Sequence, residues 1–310
     1  MRSLTLLCCI LNLCIAVAQT KVQIINYNVE NLFHPNKDSI NTDEEFTADG
    51  ERHWTYSRYQ EKLVHIGQVV ANIGEWDTPA IVGLEEVEDE QCLQDLCKWG
   101  VLRNYKYNYL HQNSKDVRGI DCALLYHPKQ FDLLSHSFIP IHTDGRPTRD
   151  IIYASGRLQN GDTLHLFVCH FPSQRGGSAE TNNRREAART VLQTKIDSLI
   201  QTIPTAKIVI MGDFNSSPEE QFNPLHNLMI GMETEDRGTY KWKGIWSCLD
   251  HFYVSNNLLP YVQAEIYAAD WLLEDDLQYL GTKPKRTYYG YRYNGGYSDH
   301  LPIRLLIHLP

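Results

Sequence analysis

No Cys-x-x-Cys pair occurs in the 310 residues, which removes the commonest zinc-site pattern. Net positive charge is also missing. Lys and Arg total 29 against 38 Asp and Glu, a formal charge of −9. Such a chain is not built to hold polyanions through bulk charge, although a local basic patch can still grip a phosphate. There is no internal repeat, linker or low-complexity tract, so neither a solenoid nor a string of modules is expected. Long apolar runs are absent after residue 18, so no membrane-spanning helix is expected beyond it.

The one apolar run, Leu4 to Val17, follows Met1-Arg2 and closes on Ala16-Val17-Ala18. A positive start, a short apolar core and an A-x-A ending read as a cleaved signal peptide over residues 1–18. The expectation is an exported protein, periplasmic or extracellular, beginning at Gln19 and forming one domain over 19–310. Three of the eight cysteines lie in the leader. Cys92, Cys97, Cys122, Cys169 and Cys248 remain, an odd number that cannot pair completely within one chain. Cys92 and Cys97 are close enough in sequence to leave a disulfide open, though their spacing on a helix is awkward. Cys122 and Cys169 sit in apolar strand contexts that suit small core residues.

Strand-like and helix-like segments alternate. Val22 to Asn28, Ala80 to Leu84, Asp121 to Tyr126, Phe131 to Ile141, Ile151 to Leu158, Leu164 to His170, Lys207 to Met211, Leu249 to Val254, Val262 to Tyr267 and Leu301 to Ile307 read as strands. Residues 57–73 and 182–199 carry helical spacing. Many strands with few, long helices predict two packed sheets covered by helices. Residues 36–52 and 274–296 read as long loops, which in a compact domain tend to be functional.

Polar residues recur where apolar strands end. The clearest case is Gly212-Asp213-Phe214-Asn215, after Lys207-Ile208-Val209-Ile210-Met211 and before Ser216-Ser217-Pro218. Side chains two apart on a strand share a face, so Asp213 and Asn215 present a carboxylate and an amide together. Asn28, Glu86, His170, Asp250 and Asp299-His300 hold similar positions. A carboxylate at such a rim is costly unless it is paired or binds a metal, which points to one shared polar site.

The blocks Tyr27-Asn28-Val29-Glu30-Asn31-Leu32-Phe33, Gly83-Leu84-Glu85-Glu86-Val87, His170-Phe171-Pro172-Ser173, Gly212-Asp213-Phe214-Asn215, Leu249-Asp250-His251-Phe252 and Ser298-Asp299-His300-Leu301-Pro302 run in an order that resembles the endonuclease/exonuclease/phosphatase superfamily, which includes deoxyribonuclease I. The resemblance implies an α/β four-layer sandwich, with two packed mixed β-sheets flanked by helices and the site at one edge. It implies hydrolysis of a phosphate ester with Mg²⁺, for which Mn²⁺ can substitute. Carried over by position, Glu86 and Asn28 hold the metal with Asp299 nearby. Asp213 and Asn215 orient water and phosphate. His300 acts as base with Asp250 fixing its ring, and His170 donates to a phosphate oxygen. Oxygen ligands suit a hard cation that neutralises the anionic ester. Glu85 stands where relatives often have Gln; it is expected to point to the opposite face, or else to add charge near the metal.

Arg118 and Arg175 are the expected phosphate contacts, the latter from a Gly-rich stretch before a helix. The basic, aromatic stretch 283–293 suits base stacking, a lipid headgroup surface or packing over the sheet. The expected activity is a monomeric exported nuclease acting on nucleic acid. The alternatives are a phosphatase or phospholipase C-type hydrolase, and a binding protein on the same scaffold without catalysis.

Overall fold

The computed structural model describes residues 20–36, 44–143, 146–173, 178–218 and 222–310. The leader and Arg175 lie outside these residues. Along the chain run β1 (Thr20–Leu32), α1 (Tyr56–Gly74), β2 (Ile81–Val87), α2 (Glu90–Lys98), β3 (Asn108–His111), β4 (Asp121–Tyr126), β5 (Phe131–Ile139), β6 (Ile151–Leu158) and β7 (Thr163–His170). Then come α3 (Ser178–Thr202), β8 (Lys207–Asp213), β9 (His226–Asn227), β10 (Tyr240–Trp242), β11 (Ile245–Ser247), β12 (Asp250–Val254) and β13 (Val262–Ile266). The last are β14 (Leu273–Asp275), β15 (Thr282–Pro284), β16 (Tyr288–Tyr289), β17 (Arg292–Tyr293) and β18 (Ile303–Leu309).

Two six-stranded sheets face each other, ordered β13-β18-β1-β2-β4-β3 and β5-β6-β7-β8-β12-β9. Each is antiparallel except for one parallel pair, β1 with β2 and β7 with β8. A helix makes each parallel crossover, α1 in the first sheet and α3 in the second, because parallel neighbours cannot be joined by a tight turn. The result is the expected four-layer α/β sandwich.

Strand alternation builds the layers. On β7, Leu164, Leu166 and Val168 join the core shared by both sheets, while Phe167 and Cys169 face α3. On β8, Val209 and Met211 turn inward and Ile208 and Ile210 pack against Ala188, Leu192 and Ile196 of α3. α1 starts at Thr55, whose hydroxyl accepts the Arg58 amide, and buries Tyr59, Leu63, Ile66, Val70 and Ile73 on one stripe. α2, which the sequence pattern did not reveal, is capped by Asp89 accepting from the Cys92 amide at 2.9 Å.

The stretch 274–296 is not one uninterrupted loop, although most of it is irregular. It carries the hairpins β14–β15 and β16–β17. All five described cysteines are free, including Cys92 and Cys97. No helix among the described residues is long and apolar enough to cross a membrane.

Candidate active site

Strand ends from both sheets meet at one edge. The Gly212-Asp213-Phe214-Asn215 turn shows how the local sequence sets this up. Gly212 has φ +150°, and a Cβ there would lie 1.9 Å from the Cys169 carbonyl oxygen, so β8 approaches β7 more closely than any side chain permits. Phe214 points away from the edge into the α3 core, stacked on His251 with centroids 5.1 Å apart. Burying such a ring is worth about 2 kcal/mol. Its burial turns Asp213 and Asn215 the other way. The Asn215 amide N–H donates to Asp213 Oδ1 at 2.8 Å, and its side chain donates to the Phe171 carbonyl at 3.1 Å.

Asp213 is the hub. Asn28 Nδ2, from β1 of the other sheet, donates to its Oδ2 at 3.1 Å. His170 Nε2 lies 3.7 Å from the same oxygen and His300 Nε2 3.8 Å. Burial drives the Asp213 carboxyl up to about 7, against the pull of His300 and with the push of Asp250. His300 Nδ1 bonds Asp250 Oδ2 at 2.8 Å. Burial opposes charge on the His300 ring, but the Asp250 and Asp213 carboxylates outweigh it and hold its pKa well above the usual imidazole value. His170 shows the reverse. Burial, aided by Arg149 and Arg118, pushes it well below that value.

The candidate metal ligands adjoin this hub. β1 bulges between Asn28 and Leu32, and Glu30 and Asn31 take φ of 55° and 57°. Glu86 also has a positive φ, at 67°. These backbones favour glycine, so three non-glycine residues there mark a locally strained rim. The Asn31 amide donates to Glu86 Oε2 at 3.0 Å, and Arg118 Nη2 reaches Glu86 Oε1 at 3.3 Å and Asn31 Oδ1 at 2.8 Å. Asp299 Oδ2 accepts from Arg286 Nη2 at 2.8 Å.

The donor set of Glu86, Asn28 and Asp299 is entirely oxygen and fits a hard divalent cation, which keeps several waters and needs only one or two carboxylates. The tight His/Cys/Asp/Glu group found among the described residues lies elsewhere, at Glu88, Asp89 and Cys92. There Asp89 is engaged in capping α2. Glu85 points into the sandwich, fully buried. Burial, with Asp250 and Asp213 nearby, pushes its carboxyl well above the usual carboxylate range. Its Oε2 accepts from Asn26 Nδ2 at 3.4 Å, inside the sandwich and away from the rim.

Thus every described candidate sits in one cluster, Arg118 included. Sequence reasoning missed Glu30, Asn31 and Arg286. Asn31 was hidden because its contact with Glu86 is made by a backbone amide that a bulge exposes, and its side chain meets Arg118 from another strand's loop.

A family profile described as "Endonuclease/Exonuclease/phosphatase family" matches residues 23–309. No curated protein matches the chain. Similar solved structures include truncated TDP2 from Caenorhabditis elegans, at 17% identity and TM-score 0.58, covering 93% of this chain and 97% of that one. The human Nocturnin catalytic domain with bound sulfate is similar at 15% identity and TM-score 0.58, covering 93% and 94%. The Bacteroides thetaiotaomicron mannosyl-6-phosphatase Bt3783 is similar at 16% identity and TM-score 0.56, covering 92% and 99%. At such identities the likeness is one of fold.

Proposed function

The chain belongs to the endonuclease/exonuclease/phosphatase family, and from that premise we propose that it is an exported, Mg²⁺-dependent phosphodiester hydrolase acting on nucleic acid. The observation that carries this reading is the His300–Asp250 pair at 2.8 Å, set beside Asp213, whose Oδ2 His170 Nε2 also faces. Mg²⁺ held by Glu86 and Asn28, with Asp299 beside them, would neutralise the phosphate and polarise it for attack.

The protein's own groups do the rest. Asp213 and Asn215 orient a water against phosphorus. His300 takes the water's proton at Nε2, while Asp250 fixes the ring through Nδ1–H and stabilises the imidazolium. His170, kept neutral, donates its N–H to a phosphate oxygen. Arg118 is placed to exchange part of its contact with Glu86 for the phosphate, and Arg175 is the second expected contact. Trp242, 53% exposed and two residues along β10 from Tyr240, whose ring packs on His300 with centroids 4.9 Å apart, offers a face for a base.

One observation favours a second reading, a small phosphorylated or lipid-headgroup ester. Cations of the 283–293 stretch are partly engaged within the protein, Lys283 with Glu274 at 3.8 Å and Arg286 with Asp299 at 2.8 Å. That leaves less charge to track a polyanion.

The test is incubation of pure protein with plasmid DNA, RNA, sphingomyelin and bis-p-nitrophenyl phosphate, with Mg²⁺ or EDTA. Metal-dependent cleavage of DNA or RNA is expected. Turnover of the other esters alone would move the conclusion to the second reading. No turnover on any substrate would leave only a binding protein. Export predicts a mature N-terminus at Gln19, read by Edman sequencing.

A further inference from the structure

We propose that Arg286 and Glu30 are positioning residues that aim Asp299 at the divalent cation. This rests on the reading of Asp299 as a neighbour of that cation. Neither residue touches the reacting atoms.

The β1 bulge sends three nearby groups to three parts of the site. Asn28 reaches Asp213, the Asn31 amide reaches Glu86, and the Glu30 side chain turns to the segment that delivers Asp299 and His300. Glu30 is buried and accepts Arg286 Nε at 3.3 Å and the Thr287 amide at 2.6 Å. Lys62, buried in α1, donates to Thr287 Oγ1 and to the Tyr297 carbonyl, each at 2.6 Å. The segment is therefore tied down on both sides of its hairpin. Arg286 then spends Nη2 on Asp299 Oδ2 at 2.8 Å. A guanidinium is a rigid planar fork, so fixing Nε on Glu30 fixes the direction from which Nη2 holds Asp299. One Asp299 oxygen is held by Arg286, which sets the orientation of the other.

Charge and positioning predict opposite signs. A cationic side chain beside a cation site repels the metal, so on charge alone Arg286→Met tightens Mg²⁺ binding and Arg286→Lys leaves it unchanged. If Arg286 positions Asp299, both variants bind Mg²⁺ more weakly, by about tenfold for Arg286→Met, the lower end of losses seen when supporting partners of metal ligands are removed. The Arg286→Lys variant keeps the charge but cannot span Glu30 and Asp299, so it weakens as well.

The experiment is calorimetric titration of Mg²⁺ into the metal-free wild type, Arg286→Lys, Arg286→Met and Glu30→Gln, with thermal melts to verify folding. Weaker binding in all three is expected. Unchanged affinity in Arg286→Lys, or tighter affinity in Arg286→Met, overturns the proposal, as does a wild type that binds no Mg²⁺. If Arg286→Met does not fold, the Lys variant decides. A wild type that binds Mg²⁺ with the expected variant series but cleaves no ester leaves this proposal standing and removes the hydrolase reading.

Discussion

His170 and His300 face the same Asp213 oxygen at nearly equal distances, 3.7 and 3.8 Å, yet their protons behave in opposite ways. His170 ends β7 in the second sheet, and its Nδ1 has no hydrogen-bond partner among the described residues. Burial and two arginines keep it neutral. His300 precedes β18 in the first sheet, and its Nδ1 rests on Asp250. Burial acts on it too but loses to two carboxylates. The ring type and the facing partner are shared. What separates the two is the group behind each ring, and this is the basis on which we propose His170 as a donor and His300 as a proton acceptor.

The largest break in that asymmetry is His300→Ala. It should cut metal-dependent ester hydrolysis by about 10⁴-fold while retaining a cooperative thermal melt, measured with bis-p-nitrophenyl phosphate. Asp250→Asn keeps the ring but removes its charge partner, and should cost about 10³-fold. In the wild type, the rate should rise with pH through a value above the usual imidazole pKa of about 6.5, because His300 must lose its proton before it can act as base. In Asp250→Asn that limb should move to lower pH; an unmoved limb would show that another group sets it. His170→Ala removes one donor and should cost about 10²-fold.

The smallest effect is on stability. A histidine depressed in the native state is protonated mainly after unfolding, so its contribution is present above about pH 6.5 and lost as pH falls below it. His300, raised in the native state, contributes below about pH 6.5 and loses that contribution as pH rises through its native value. Urea midpoints in EDTA should therefore show His170→Asn gaining on wild type toward acid and His300→Asn losing most on the acid side. Identical profiles would erase the distinction.

Much of this geometry was legible in the chain because strands advertise themselves by alternation. The pattern placed β4 and β6 at their observed bounds, and the polar residue at each strand end marked the site edge. The 274–296 stretch read as a loop because its strands are two or three residues long, too short for alternation to register. α2 spans only nine residues, so its apolar stripe of Cys92, Leu93 and Leu96 is too short for helical periodicity to register. Glu30 lies beyond the strand expected over Val22 to Asn28, and its positive φ and its contact with Arg286 leave no mark in the sequence pattern. Lys62 gave no hint of burial, since a helical lysine is normally solvated. Its pKa is lowered to about 8, chiefly by burial.

The pairing of β1 with β18 has a consequence for the order of assembly. Register partners run from Thr20 with Leu309 to Asn26 with Ile303, so opposite ends of the described chain lie side by side. As the chain is synthesised, β1 can find β2 early but must wait for its other neighbour until Leu309 has emerged. Asp299 and His300 arrive with that last strand. Long-range pairings of this kind close slowly. The polar cluster at the sheet edge is therefore among the last features to form, and a chain that ended before Asp299 would carry Asn28, Glu86 and Asp213 without Asp299 and His300.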